Sequence, residues 1–247
     1  MKLLFAVTAL FCYIGAHAAS EQLAGSVPAS EITPAGYYSA SRMAEVAGRV
    51  LILLALPGSS EKLLAGTAHA GLWQSGDGGV SWVPASELMK GLPVSTLVVD
   101  PGNPAIIYAG TGDGHSSGAS LRGGGIFKSV DGGRSWMLLP LTNPATVGEN
   151  WSHVNSIAIS ATGIMLAATS DNQFNGFVYR SVDGGQSWGI LPVYAGSKVG
   201  PRNVVYQIKF DADHPDTAIF MDAYANVTHS SDGGVSWSVA RKSASCP

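Results

Sequence analysis

The sequence predicts an all-β protein built from four repeated units of four antiparallel strands, the blade architecture of a β-propeller. Two observations predict it. An octapeptide occurs four times: SGDGGVSW (75–82), SVDGGRSW (129–136), SVDGGQSW (181–188) and SSDGGVSW (230–237). Its aspartates, Asp77, Asp131, Asp183 and Asp232, are spaced by 54, 52 and 49 residues, a period that belongs to solenoids and propellers. Between the copies lie short runs rich in Val, Ile, Leu and aromatics, bounded by Gly, Pro, Asn and Asp, which is the signature of strands.

Composition agrees. The 247 residues suffice for one large all-β domain, and 31 glycines with only 13% charged residues suit many short strands joined by tight turns. The net charge of −3 supplies no basic surface, so nucleic acid is not an expected partner.

The chain opens with Met1-Lys2, an apolar stretch from Leu3 to Gly15, and Ala16-His17-Ala18. A positive start, a short apolar run and an A-x-A site read as a signal peptide over residues 1–18. The protein is therefore expected to be exported, periplasmic or secreted. The run is too short to span a membrane, and nothing later resembles a span. Phe11 before Cys12 argues against a lipid anchor. Residues 19–47 read as an extended lead-in with a short helix around Ser41 to Val46, and residues 242–247 as a tail. Cys246 in that tail is the single thiol after residue 18, either inert or paired with another chain.

The propeller region is expected over residues 48–241. Naming the strands A to D from the inside outward, the first unit has A at Arg49–Leu56, B at Lys62–Thr67 and C at Gly71–Ser75, with D starting at Ser81. The second has Val94–Asp100, Ala105–Gly110, Gly125–Ser129 and a start at Ser135. The third has Val154–Ser160, Ile164–Thr169, Phe177–Ser181 and Ser187. The fourth has Val204–Asp211, Ala218–Ala223, Asn226–Ser230 and Ser236. The A strands are almost wholly apolar, as sheets buried on both faces require.

The octapeptide itself is turn chemistry. Its Asp can accept from backbone N–H groups two residues on, and its glycines accept positive φ. Its Trp (Trp82, Trp136, Trp188, Trp237) offers a large apolar face at the start of the outer strand. The four carboxylates are expected to be consumed by the turns they build, not to act as catalytic acids or metal ligands.

With these residues in hand, the chain resembles the Asp-box, or BNR-repeat, propellers, whose box reads S-x-D-G-G-x-x-W. That box occurs in sialidases, xyloglucan-degrading glycoside hydrolases, sortilin-type receptors and a photosystem assembly factor. The units Leu63-Leu64-Ala65-Gly66-Thr67 and Ile107-Tyr108-Ala109-Gly110-Thr111, before Gly125-Ile126-Phe127-Lys128-Ser129, are most similar to bacterial exported sortilin-like and BNR-repeat proteins. The resemblance covers residues 48 to 240 and is specific for fold, not for activity. It implies that the box and the A–B turns share one end of the molecule, with B–C loops and inter-blade links at the other, ligand-binding end. It also implies a ring of roughly six to eight blades. Four blades then form an arc, either part of a longer protein or completed by a second copy, with self-association through its open edges.

The B–C loops differ in length, and long loops on a rigid scaffold carry function. Blade two holds the largest insertion, Gly112 to Arg122. Asp113 and Arg122 could grip a polar ligand there, with His115 as an acid or base. The alternative is a glycine-rich loop pinned by an Asp113–Arg122 pair. The blade-three loop, Asp171-Asn172-Gln173-Phe174-Asn175, is amide-rich, which suits sugar hydroxyls or ordinary turn chemistry. The links add Trp151 with His153, and Tyr194 with Arg202. Trp151 is either a sugar-stacking platform or a side chain packed between blades. His69 and Tyr224 stand at the shorter B–C turns, and His229 reads as a solvent-facing strand residue.

A sialidase reading meets no Arg-Ile-Pro motif. An inverting glycosidase needs two opposed carboxylates, and Asp113, Glu149, Asp171 and Asp222 are the acids at the expected ligand end. No His/Cys cluster has metal spacing and no phosphate loop follows a strand, so no cofactor is expected. The sequence thus points to a non-catalytic exported propeller that binds a protein or carbohydrate ligand through its B–C face. The alternative is a glycoside hydrolase, xyloglucanase-like or sialidase-like, with an incomplete active site in this chain.

Overall fold

The computed structural model describes residues 49–114, 121–191 and 203–241. The expected signal peptide, the expected lead-in with its helix, His115, Tyr194, Arg202 and Cys246 lie outside the described residues. Blade one comprises β1 (Val50–Ala55), β2 (Leu63–Thr67), β3 (Leu72–Ser75) and β4 (Val83–Pro84). Blade two comprises β5 (Val94–Asp100), β6 (Asn103–Thr111), β7 (Ile126–Ser129) and β8 (Met137–Leu138). Blade three comprises β9 (His153–Ile159), β10 (Met165–Ser170), β11 (Gly176–Ser181) and β12 (Gly189–Ile190). Blade four comprises β13 (Val205–Phe210), β14 (Ala218–Asp222), β15 (Val227–Ser230) and β16 (Ser238–Arg241).

All pairings are antiparallel, in chain order within each blade. The inner strands pack side by side, β1 against β5, β5 against β9 and β9 against β13. The architecture is a partial β-propeller of four blades. Short helical turns occupy the links: Glu87–Met89, Pro140–Thr142 and Glu149–Trp151 as 3-10 turns, and α1 (Pro144–Val147).

The core lies between blades. Successive strand residues point to opposite faces, so Ile107 and Ala109 enter the core shared with blade one while Tyr108 enters that shared with blade three. Likewise Met165 and Ala167 face blade two, and Leu166 and Ala168 face blade four. A sheet sandwiched in this way must be apolar on both faces, which explains the unbroken apolar runs.

The octapeptides behave as closed hydrogen-bond circuits. In the second copy, the Asp131 carboxylate accepts from the Ser129 hydroxyl (2.8 Å), the Ser135 N–H (2.9 Å) and the Ser135 hydroxyl. The Ser129 oxygen accepts from the Gly133 N–H (2.8 Å), and Trp136 Nε1 donates to the Gly133 carbonyl (3.0 Å). Asp77, Asp183 and Asp232 repeat the pattern. The two glycines of each copy have φ between 68° and 95°, which a side chain would strain. Because the second Ser and the Trp are spent on the turn, the outer strands begin later than expected. They start at Val83, Met137, Gly189 and Ser238, not at Ser81, Ser135, Ser187 and Ser236.

Backbone bonds fix which turns share an end. Gly78 N–H donates to the Glu61 carbonyl (2.9 Å), Gly132 to Ala105 (2.8 Å) and Gly233 to Asp216 (2.8 Å), so the octapeptides sit with the A–B turns. The B–C loops and the links lie at the opposite end. There, every blade carries a register shift between its inner strand and the next strand out, which leaves Leu51, Ser95, Asn155 and Tyr206 as the extra residues. Two of these bulges reach into the next blade: Ser95 Oγ donates to the Val154 carbonyl (2.6 Å), and Asn155 Nδ2 to the Val205 carbonyl (3.3 Å).

Candidate functional site

The B–C end is built on one repeated clasp at the last residue of each B strand or the residue after it. In blades one and two a Thr hydroxyl makes it. Thr67 Oγ1 accepts from Ala70 N–H (2.9 Å) and donates to the Gly71 carbonyl (2.9 Å); Thr111 Oγ1 accepts from Gly124 N–H (2.8 Å) and donates to Gly125 (2.6 Å). In blades three and four an Asp and an Asn four residues on make it. Asp171 accepts from the N–H groups of Gln173 and Asn175 and from Asn175 Nδ2. Asp222 accepts from Tyr224 N–H, Asn226 N–H and Asn226 Nδ2, and also from Asn203 Nδ2 (2.9 Å). The residue before each Asn, Phe174 or Ala225, adopts positive φ (63° and 57°). The Asp-x-x-x-Asn spacing was visible in the sequence as a second repeat, shorter than the octapeptide and easily overlooked.

The expected Asp113–Arg122 pair does not form. Asp113 is buried and paired with Arg49, the residue that leads into β1, so this carboxylate ties blade two to blade one. Arg122 instead pairs with Glu149 in the link to blade three, and both side chains are more than half exposed. The other oxygen of Glu149 accepts from Asn172 Nδ2 of the blade-three loop (3.0 Å). Three separate segments thus join in one exposed cluster: Arg122, Glu149 and Asn172. An ion pair this wet contributes about 0–1 kcal/mol, so its donors and acceptor can be exchanged for those of a ligand at little cost.

Trp151 is not a platform. It is 3% exposed, stacks on Tyr179 at 4.4 Å and meets Trp188 edge-on at 5.3 Å in the core between blades two and three. Asn150 Nδ2 bonds the Tyr179 hydroxyl (3.1 Å), and burial raises that phenol above its ordinary pKa. His153 is fully buried with Nδ1 on the Ser170 carbonyl (3.2 Å); burial holds its pKa below the usual value despite nearby Asp113. His153 is thus a buried side chain bonded to the neighbouring strand, not an exposed one. Asn175 is spent on the Asp171 clasp. Among the described residues the exposed aromatics of this end are Tyr224, 62% exposed, and Phe174.

Five acids occupy this end among the described residues, the fifth being Glu87 in the first link, which pairs with Lys90 (3.5 Å). Asp171 and Asp222 close turns, Asp113 holds Arg49, and Glu149 holds Arg122 and Asn172. The described residues contain no group of three or more His, Cys, Asp or Glu side chains placed to hold a metal.

Sequence reasoning missed Arg49, Tyr179 and Asn155, and read Glu149 only as one acid among several. Arg49 and Glu149 act across blade boundaries, which no local pattern signals.

Comparison with known proteins agrees with the fold. An ancestral GH74 enzyme superposes with a TM-score of 0.60 at 24% identity, over 78% of this chain and 24% of that one. The GH74 xyloglucanase from Xanthomonas campestris superposes with a TM-score of 0.54 at 19% identity, over 76% of this chain and 29% of that one. The chain therefore spans about a quarter of the length of each structure. No protein-family model matches the chain, and no curated protein matches it. The likeness is one of blade architecture.

Proposed function

We propose that the chain is an exported, non-catalytic Asp-box propeller that binds a carbohydrate through the B–C face. The observation that carries this reading is the cluster of Arg122, Glu149 and Asn172, three exposed polar side chains delivered by three segments onto one rigid end. Guanidinium, carboxylate and amide together offer donors and acceptors at fixed spacing, the pattern that vicinal hydroxyls require. Tyr224, on the neighbouring blade, adds an exposed ring at the same end. Among the described residues every acid there, Glu87 on Lys90 included, is engaged by a turn or a partner, an arrangement that favours binding over a general acid facing a general base.

The test is affinity electrophoresis of the chain in gels containing xyloglucan or mixed-linkage β-glucan, with reducing ends assayed in parallel. Arg122→Ala and Asn172→Ala are expected to weaken retardation at least tenfold while leaving the melting temperature unchanged. Retardation that survives both substitutions, or no retardation in any polysaccharide, overturns the carbohydrate reading. Release of reducing ends would instead favour the glycoside-hydrolase reading.

A further inference from the structure

Among the described residues, two that are not glycine enter the left-handed region, Phe174 (φ 63°) and Ala225 (φ 57°). They hold the same place in the Asp-x-x-x-Asn turns of blades three and four. In each turn the N–H of this residue donates to the carbonyl of the Asp, Phe174 to Asp171 (3.2 Å) and Ala225 to Asp222 (3.0 Å). A left-handed residue in a short loop between strands is ordinarily glycine. Alanine there is a small departure. Phenylalanine is a large one, because a bulky side chain makes the conformation costly.

Core packing does not account for the choice. Phe174 is 37% exposed and belongs to none of the hydrophobic clusters formed by the described residues. The turn holds it in place regardless. Asp171 accepts from the N–H groups of Gln173 (2.8 Å) and Asn175 (2.9 Å) and from Asn175 Nδ2 (2.8 Å), while its own N–H donates to the Asn175 carbonyl (3.1 Å). Both flanks are docked as well. Asn172 reaches Glu149 in the link from blade two (3.0 Å), and a Cβ on Gly176 would run into the Asn203 carbonyl in the link to blade four. A strained residue that its surroundings over-determine, and that the core does not need, points to a ligand contact.

Phe174 stands two residues from Asn172, in a turn whose ends lie no more than about 7 Å apart. The polar cluster of Arg122, Glu149 and Asn172 thus has an apolar ring on one of its own loops. A pyranose offers two kinds of surface, a rim of hydroxyls and, where these are equatorial, faces made of C–H bonds. The rim needs donors and acceptors, and the C–H face needs an apolar ring. Resting on the carbohydrate reading of this rim, we propose that Phe174 is its stacking residue. The ring takes the C–H face of a pyranose whose hydroxyls meet Arg122, Glu149 and Asn172, and the left-handed backbone is the stability given up for that placement.

The experiment pairs affinity electrophoresis in xyloglucan and mixed-linkage β-glucan gels with urea unfolding, on the full chain carrying Phe174→Gly, Phe174→Asn, Phe174→Tyr or Ala225→Gly. Glycine and asparagine both accept the left-handed conformation. Phe174→Gly and Phe174→Asn are therefore expected to move the two readouts in opposite directions. Retardation weakens about tenfold, the scale of a lost central aromatic contact, while the folding equilibrium constant rises about threefold. Phe174→Tyr keeps the ring and should match the wild type in both. Ala225→Gly relieves the same backbone without touching a ring, so it should raise stability and leave retardation unchanged. A Phe174→Asn chain retarded like the wild type overturns the proposal. So does a loss of stability in both Phe174→Gly and Phe174→Asn, which makes the ring a packing residue. A wild type that no gel retards removes the carbohydrate reading and this residue with it. Retardation that falls with Arg122→Ala but not with Phe174→Asn keeps that reading and strikes only the stacking residue.

Discussion

Leu166 and Gly234 offer the sharpest check on whether the octapeptide glycines are packing residues as well as turn residues. Leu166 is fully buried in the core between blades three and four, and the second glycine of the fourth octapeptide lies on it. Leu166→Ala removes three buried carbons, roughly 2–3 kcal/mol of transfer, and with the residual cavity costs about 3–4 kcal/mol. Gly234→Ala has two separate penalties. An alanine at φ +87° costs about 1–2 kcal/mol. Its Cβ would stand 2.8 and 3.2 Å from the two Leu166 methyls, an overpacking cost of about 1–3 kcal/mol. The second penalty disappears when Leu166 is alanine, so the double variant should be about 1–3 kcal/mol less destabilised than the sum of the singles. Gly132→Ala is the control, with φ +72° and nothing within 4 Å of its Cβ, and should show the backbone penalty alone. Urea unfolding followed by tryptophan fluorescence reads all four variants. Additivity of Leu166→Ala and Gly234→Ala within about 0.5 kcal/mol would refute the packing argument.

Acid should weaken the fold from the octapeptides. The carboxyls of Asp77, Asp131 and Asp232 are held down to about 2, chiefly by the hydroxyl of the second serine, against an ordinary value of 3.8. Because the folded pKa is depressed, that stabilisation is present above about pH 4 and is lost as pH falls toward 2. His153, whose pKa burial lowers, adds a decline that begins as pH drops below its ordinary 6.5. Urea midpoints that stay flat from pH 7 to 3 would contradict both. Trp151→Ala should cost about 3–5 kcal/mol of stability and leave the polysaccharide retardation of the folded fraction unchanged, since the ring is buried away from the rim. Arg122→Ala should change stability by less than about 1 kcal/mol, the scale of a wet ion pair. Arg49→Ala should cost more, about 1–2 kcal/mol, because it strips a guanidinium from a buried carboxylate, and equal urea midpoints for these two variants would undo the distinction.

What could be read from the chain alone was what repeats locally. The octapeptide announced its own turn, since Ser, Asp, Gly and Ser meet within seven residues. Strand positions followed from apolar runs, but the outer strands were placed two residues early, because the sequence does not show Ser135 already spent on Asp131. The bulges at Ser95 and Asn155 were invisible, since an extra residue exists only relative to the strand it pairs with. The site was half legible. Arg122 and Asn172 stood out as polar residues on grown loops, yet their common partner Glu149 lies in a link that local pattern could not connect to either. Asp113 was assigned to the nearest cation in sequence, Arg122, whereas the blade boundary puts Arg49 beside it. Trp151 could not be placed because burial between blades depends on Tyr179 and Trp188, which lie roughly thirty residues away in the chain.

Every blade here is made from one unbroken stretch of chain, its four strands added in order from the axis outward. Among the described residues no strand waits for a partner from a distant part of the sequence. Each hairpin can close as soon as its own residues exist, and each finished blade presents the apolar wall on which the next condenses. Folding of such a chain has few long loops to close, so it is expected to proceed vectorially during synthesis, with each blade templating its successor.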